Sequence, residues 1–159
     1  MALEITTVGA TVSYAVEATA GTRPVSGFVK IPDVNTAPEI ALEVEQLDAS
    51  NIEDTITRYC AGRQDPGTSK QFIINHTNTG LDAWLNASTG ILKKASDGKA
   101  AGKLTWIQYS YPNATKSFFF AIDPLPLGNG GIEQNQVDTI PISFVVTKVE
   151  GWATAATIS

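Results

Sequence analysis

The chain has 159 residues, of which 43% are hydrophobic and only 17% charged, with 16 acidic against 11 basic residues and a net charge of −5. That length fits one domain with a core of its own, and the low charged share, below the ~25% usual for soluble domains, points to a surface that partners cover. An acidic chain whose densest basic spot is Lys93-Lys94 near Lys99 and Lys103 is a poor ligand for phosphates, which argues against tight nucleic-acid binding.

Most of the chain reads as strand. Thr11 to Ala18 alternates, with Val12, Tyr14 and Val16 on one face and Thr11, Ser13 and Glu17 on the other. A Gly-, Pro- and Ser-rich loop follows, then a short strand over Phe28 to Val34, where Pro32 marks an edge or a strand end. From Glu39 the alternation is clean: Ile40, Leu42 and Val44 share one face, while Glu39, Glu43 and Glu45 share the other. The polar stretch 48–69 reads mainly as loop, with a strand-like piece from Thr55 to Cys60. Gln71 to Thr77 is a further strand. One segment has a different period. Leu81, Trp84, Leu85, Ile91, Leu92 and Ala95 lie on one helical face, so one α-helix is expected over about residues 80–97, with Thr79 as its cap and Gly98 as its stop. Gly90 weakens that helix as an unbroken unit. Strands resume at Lys103–Pro112, Lys116–Ile122 and Asp138–Trp152, and the tail 153–159 is small and Thr-rich, extended or mobile. Short links between successive strands predict a single domain over 1–159, mainly β: an antiparallel sandwich or barrel with one flanking helix.

The residues of chemistry are sparse. His76 is the sole histidine and shares parity with Phe72 and Ile74, so a half-buried or satisfied role is expected rather than catalysis. Cys60 is the sole cysteine, which allows no intrachain disulfide; its parity with Ile56 predicts burial. No G-x-S-x-G elbow is present. One Cys and one His make no structural zinc set, and Asp48 to Asp54 lacks the glycine and closing Glu of a calcium loop. The Gly128–Gly131 turn lacks the Lys-Ser/Thr ending of a phosphate loop. No catalytic, cofactor or metal residues are therefore assigned, and the chain is not expected to be an enzyme. Trp84 and Trp106 are expected in the core; Trp152 is the least constrained. The start "MALEITTVGATVSYAV" lacks a signal-peptide pattern and no apolar run approaches the ~20 residues of a membrane helix. Synthesis in the cytoplasm is expected, with the sequons at Asn75, Asn86 and Asn113 silent.

Several pieces, taken in order, resemble the major tail tube proteins of long-tailed bacteriophages. They are the start with "FVKIPDV" and the acidic "EIALEVEQLDAS"; "RYCAGRQDPG" leading into "FIINHT"; Ala83-Trp84-Leu85 on a helix before "KLTWIQYSYP"; and "KSFFFAIDPLPLGNGGIEQNQVDT" before a final strand. The resemblance spans nearly the whole chain and rests on the order of the pieces, not on one strict motif. It implies a β-sandwich or barrel subunit, related to the type VI secretion tube protein, that forms hexameric rings stacked into a hollow tube. It also implies a place in the virion tail, contacts with tape-measure, tail-terminator and distal-tail proteins, and DNA that passes without adhering. The stretch 48–69 (Asp48, Asn51, Glu53, Asp54, Arg63 and Asp65) and the tail 153–159 are then candidate assembly arms. Two readings of Glu39, Glu43 and Glu45 stay open: an acidic lumen wall that repels phosphates, or the solvated face of an antiparallel strand. A monomeric β-sandwich that binds carbohydrate or a cell surface is the alternative from another class.

Overall fold

A computed structural model describes residues 4–159. Strands account for 40% of the chain and helices for 12%, so it is mainly β, with a curled antiparallel sheet forming a half-barrel. Contacts divide it into two compact units, Met1–Pro38 with Ser69–Ser159, and Glu39–Thr68.

The larger unit holds strands β1 (Thr11–Val16), β2 (Val29–Lys30) and β3 (Val34–Thr36), then, numbered past the two strands of the smaller unit, β6 (Lys70–Asn75), β7 (Thr105–Ser110), β8 (Lys116–Pro124) and β9 (Thr139–Thr154). They form one sheet in the order β2-β1-β7-β8-β9-β6-β3, and every pairing is antiparallel. The two ends of that order are neighbours in sequence. Only Ile31, Pro32 and Asp33 separate β2 from β3, so one short run of chain touches both ends of the sheet. The expected strand over Phe28–Val34 is thus split at its proline. Asp33 turns the corner with φ +58°, its carbonyl accepts the Asn75 N–H at 2.9 Å, and its carboxylate accepts the Thr77 hydroxyl. Buried Phe28 and Ile31 anchor the corner in the core.

Both faces of the sheet are dry near β1, which the alternation did not anticipate. On one face lie Tyr14, Ile107, Phe120, Ile122, Phe144, Phe72 and Ile142, in parity with one another through the strand registers and all buried. Phe72 stacks on Phe144 with ring centroids 4.6 Å apart. On the other face Ala15, Phe28, Trp106, Phe119 and Ala121 form a second cluster, against which Leu104, Ala153, Ala156 and Ile158 pack. Ser13 and Glu17, expected on a wet face, are therefore buried. Gln108 donates to the Ser13 hydroxyl at 3.3 Å, and the Leu104 N–H donates to Glu17 Oε1 at 2.7 Å, as buried polar groups require. The tail is extended and held on this face. The Ala156 N–H donates to Gln108 Oε1 at 2.8 Å and the Ser159 N–H to the Phe28 carbonyl at 2.7 Å.

The helical segment lies where its period placed it, but as two helices, α1 (Asn78–Leu85) and α2 (Ile91–Ala100). The cap is Thr77 and not Thr79: its hydroxyl accepts the Gly80 N–H at 2.9 Å. The break falls at Gly90, where a Cβ would stand 2.5 Å from the Asn86 carbonyl oxygen. Trp84, Ile91 and Ala95 are buried, and α2 packs against β1, β7 and β8.

The smaller unit is a hairpin of β4 (Glu43–Asp48) and β5 (Tyr59–Asp65). β5 is a correction to the expected loop over 48–69, and to the strand expected at Thr55–Cys60. The strand lies further along, over residues whose composition is that of a turn.

Candidate functional site

The hairpin unit has no buried residue; each of Glu39–Thr68 is exposed or intermediate. Two strands with neither face covered are marginal by themselves in water. The apolar side chains that sheet alternation would hide are open: Val44 is 43% exposed, Leu47 44%, Tyr59 63% and Ile56 78%. Cys60, expected to be buried, is exposed as well, because its strand has no layer behind it.

Charge is segregated in the same segment. Seven of the 16 acids and two of the 11 basic residues fall within Glu39–Thr68, so that unit carries the whole net charge of −5 and the rest is balanced at nine of each. A charge count by segment finds this signal in the sequence alone. Glu43 and Glu45 share a parity on β4, and Glu43 pairs with Asp65 across the ladder, carboxylate opposite carboxylate, an arrangement that weakens an isolated hairpin. Glu39 is exposed but precedes β4, so the expected three-carboxylate strand face holds two. Glu45 faces the irregularity in β5 where Gly62 and Arg63 stand opposite a single residue.

The remaining polar residues build the turn between the strands. The Ser50 N–H donates to Asp48 Oδ1 at 2.9 Å, Glu53 N–H to Asn51 Oδ1 at 3.0 Å and Asn51 N–H to Asp54 Oδ2 at 2.8 Å. Arg58 Nε reaches Asp54 at 2.9 Å. Hydrogen bonding from Ser50, its backbone N–H first, holds the Asp48 carboxyl below its ordinary value. Asp65 closes the far end, accepting the Gly67 N–H at 2.8 Å. Asp48, Asn51, Asp54 and Asp65 thus shape the loop locally, while Glu53 and Arg63 project as exposed charges.

On the larger unit, His76 Nδ1 contacts the Asp138 carboxylate, with the two side chains 40% and 38% exposed, so the histidine is satisfied at the surface. Trp84 and Trp106 are in the core, whereas Trp152 is 61% exposed. It lies 6.2 Å from the Tyr111 ring and 5.4 Å from Phe118, beside an open hollow of about 430 Å³ that Ile5, Ala114 and Lys116 also line. Among the described residues no three His, Cys, Asp or Glu side chains gather as metal ligands, and no helix is long and apolar enough to cross a membrane.

No family model matches the chain, and no curated protein matches it. Solved structures do. One chain of the six-fold symmetrised baseplate of the anti-feeding prophage has a TM-score of 0.50 at 12% identity, over 89% of this chain and 91% of that one. A chain from the tail of an empty GTA particle, refined helically in C6 symmetry, has a TM-score of 0.51 at 12% identity, over 92% of this chain and 95% of that one. At that identity the likeness is one of fold, and it runs almost end to end in both pairs.

Proposed function

We infer that this chain is a structural tail protein, whose copies join in hexameric rings that stack into a hollow tube for the passage of DNA. The observation that carries the reading is the hairpin: thirty residues without one buried side chain, holding open apolar groups and the entire net charge. Such a segment is a poor product of monomer folding and a suitable arm for a neighbour to cover. The fold likeness to chains of particles with six-fold and C6 symmetry supports the same reading. Self-association is then heterologous and closes into a ring, with other tail proteins at the ends of the tube and the finished particle as the chain's location. The segment 48–69 acts as an assembly arm; the tail 153–159 does so to the extent that it leaves its own sheet.

Sedimentation at rising concentration, with electron microscopy of the same sample, tests the reading. Rings or tubes are expected, and a chain that stays at 16.9 kDa with its tail partners present refutes it. The lumen role of Glu39, Glu43 and Glu45 has a separate test. Glu43→Lys with Glu45→Lys should leave the subunit folded, within ~0.5 kcal/mol for exposed charges, and should make tubes retain DNA more at low salt. Normal DNA release by that variant overturns the lumen role; loss of rings moves the glutamates to an interface. The exposed Trp152 beside Tyr111 favours one second reading, a carbohydrate-binding module. It requires a persistent monomer whose tryptophan fluorescence responds to sugars.

A further inference from the structure

We propose that the hairpin of one copy docks on a second copy in the groove between α2 and β1. The proposal rests on the assembly reading and names the surface that the arm meets. Three observations converge on it. First, the hairpin must be covered: Val44, Leu47, Ile56 and Tyr59 are open, and its two strands have no layer behind them. Second, a hairpin of charge −5 repels another hairpin, while the balanced remainder of the chain does not repel it. The favoured contact is therefore arm to body, a heterologous contact that propagates from copy to copy.

Third, the body has one lysine-rich segment. Four of its nine basic residues, Lys93, Lys94, Lys99 and Lys103, fall within eleven residues of chain on and after α2. Lys93 is neutralised by Asp97 at 2.9 Å and Lys99 by Asp123 at 2.7 Å. Lys94 and Lys103 form no ion pair among the described residues, and both line an open groove of about 360 Å³. Its walls suit an amphipathic strand. Tyr14 lies under the Lys94 ammonium at 5.8 Å, and Val29, 41% exposed, supplies an apolar edge. Of the two acids that line it, Asp97 is paired with Lys93, while Glu17 is buried, with Oε1 accepting the Leu104 N–H and Oε2 without a partner, so the two lysines are the charges the groove presents at its surface. The hollow beside Trp152 is the rival: it is apolar but has one lysine, Lys116, among its lining residues. An arm with seven acids selects the groove with two unpaired lysines, because complementary charge sets register and suppresses wrong contacts.

Cys60, exposed and the sole cysteine, makes the test direct. Ala101→Cys puts a thiol in the groove and Ala114→Cys puts one at the Trp152 hollow. Full-length protein at assembling concentration is treated with a short bis-maleimide. A ladder of covalent oligomers is expected with Ala101→Cys, against the wild-type background with Ala114→Cys. In parallel, Lys94→Glu with Lys103→Glu should raise the concentration needed for assembly at least about tenfold, with an unchanged thermal midpoint. It should also remove most of the salt sensitivity of assembly. Tubes that form normally in the Lys94/Lys103 variant, or a ladder from Ala114→Cys instead, overturn the docking site and leave the assembly reading standing. A wild-type chain that never assembles overturns both.

Discussion

Replacing Glu39–Thr68 by a Gly/Ser turn should leave a subunit that folds at least as well as the whole chain and cannot assemble. The junction is favourable, since β3 and β6 are paired with Thr36 opposite Ile73, which brings the flanking ends of the cut together. No buried side chain is removed, because none of the thirty residues is buried, so the apolar burial that stabilises the body is untouched. Shortening the connection from thirty residues to about four lowers the loop-closure cost by about 1–2 kcal/mol. The net charge moves from −5 to zero. Urea unfolding should therefore show an equal or higher midpoint with a nearly unchanged slope, since the slope follows the surface exposed on unfolding. Sedimentation of the same samples should show the deletion as a monomer where the full chain forms large species. A loss of more than ~2 kcal/mol, or a clearly smaller slope than removal of an unburied segment allows, refutes the claim that the hairpin lies outside the core. Tubes formed by the deletion refute its role as an arm.

Three more outcomes are open to measurement. Tyr109→Phe deletes the hydroxyl that donates to the Pro38 carbonyl at 2.9 Å and should cost about 1 kcal/mol in urea unfolding. Burial, with Tyr111 nearby, raises the Tyr109 phenol above its ordinary value of 10.0; the wild type should therefore lose stability as pH climbs past that value, a loss the Phe variant lacks. Gln108→Ala removes the acceptor of the Ala156 N–H and the partner of Ser13; a cost of about 2–3 kcal/mol is expected, with faster amide exchange and carboxypeptidase clipping of the tail. Unchanged tail protection would show that Ala156 and Ile158 hold it by packing alone. Asp48 has the opposite sign to Tyr109. Its folded value lies below 3.8, so its contribution to the hairpin turn is present above that pH and fades below it, and the Ser50 amide should exchange faster only under about pH 4. Acceleration already at neutral pH would remove Asp48 from that role.

The sequence disclosed what depends on local pattern. β7, β8 and β9 fall on the segments read as strands, and the helical face follows from the spacing of Trp84, Ile91 and Ala95. The break at Gly90 was half legible: the residue was suspect, but the close approach of the Asn86 backbone that requires it comes from the turn between the two helices, which the helical period does not reveal. Ser13 and Glu17 were misread because their cover comes from far along the chain, Gln108 and the tail residues among it. β5 was misread for another reason. It is held by hydrogen bonds to β4 with both faces wet, so it leaves no burial pattern to read, and its Gly, Arg, Gln and Asp resemble a turn. The acids were visible from the outset. Their segregation was legible too, by a charge count along the chain; what the structure adds is that the acidic segment is a unit of its own.

The corner at Ile31–Asp33, which joins the two ends of the strand order, fixes a timetable for synthesis. β1 and β2 leave the ribosome early, but β1 pairs with β7 and β3 with β6. At about 5–20 residues per second, the roughly ninety residues between Val16 and Thr105 take roughly 5–20 s to appear. Throughout that interval β1 has only the two-residue β2 beside it, with Tyr14 opposite Val29, and its other edge, which β7 will cover, is unpaired, a hazard for aggregation. After the short β1–β2 pair, β4 and β5 are the next ladder that contiguous chain can complete, and the segment Glu39–Thr68 that holds them brings five net negative charges while the nascent chain is still incomplete. The segment proposed as the assembly arm thus carries, during synthesis, the charge that keeps unfinished copies apart.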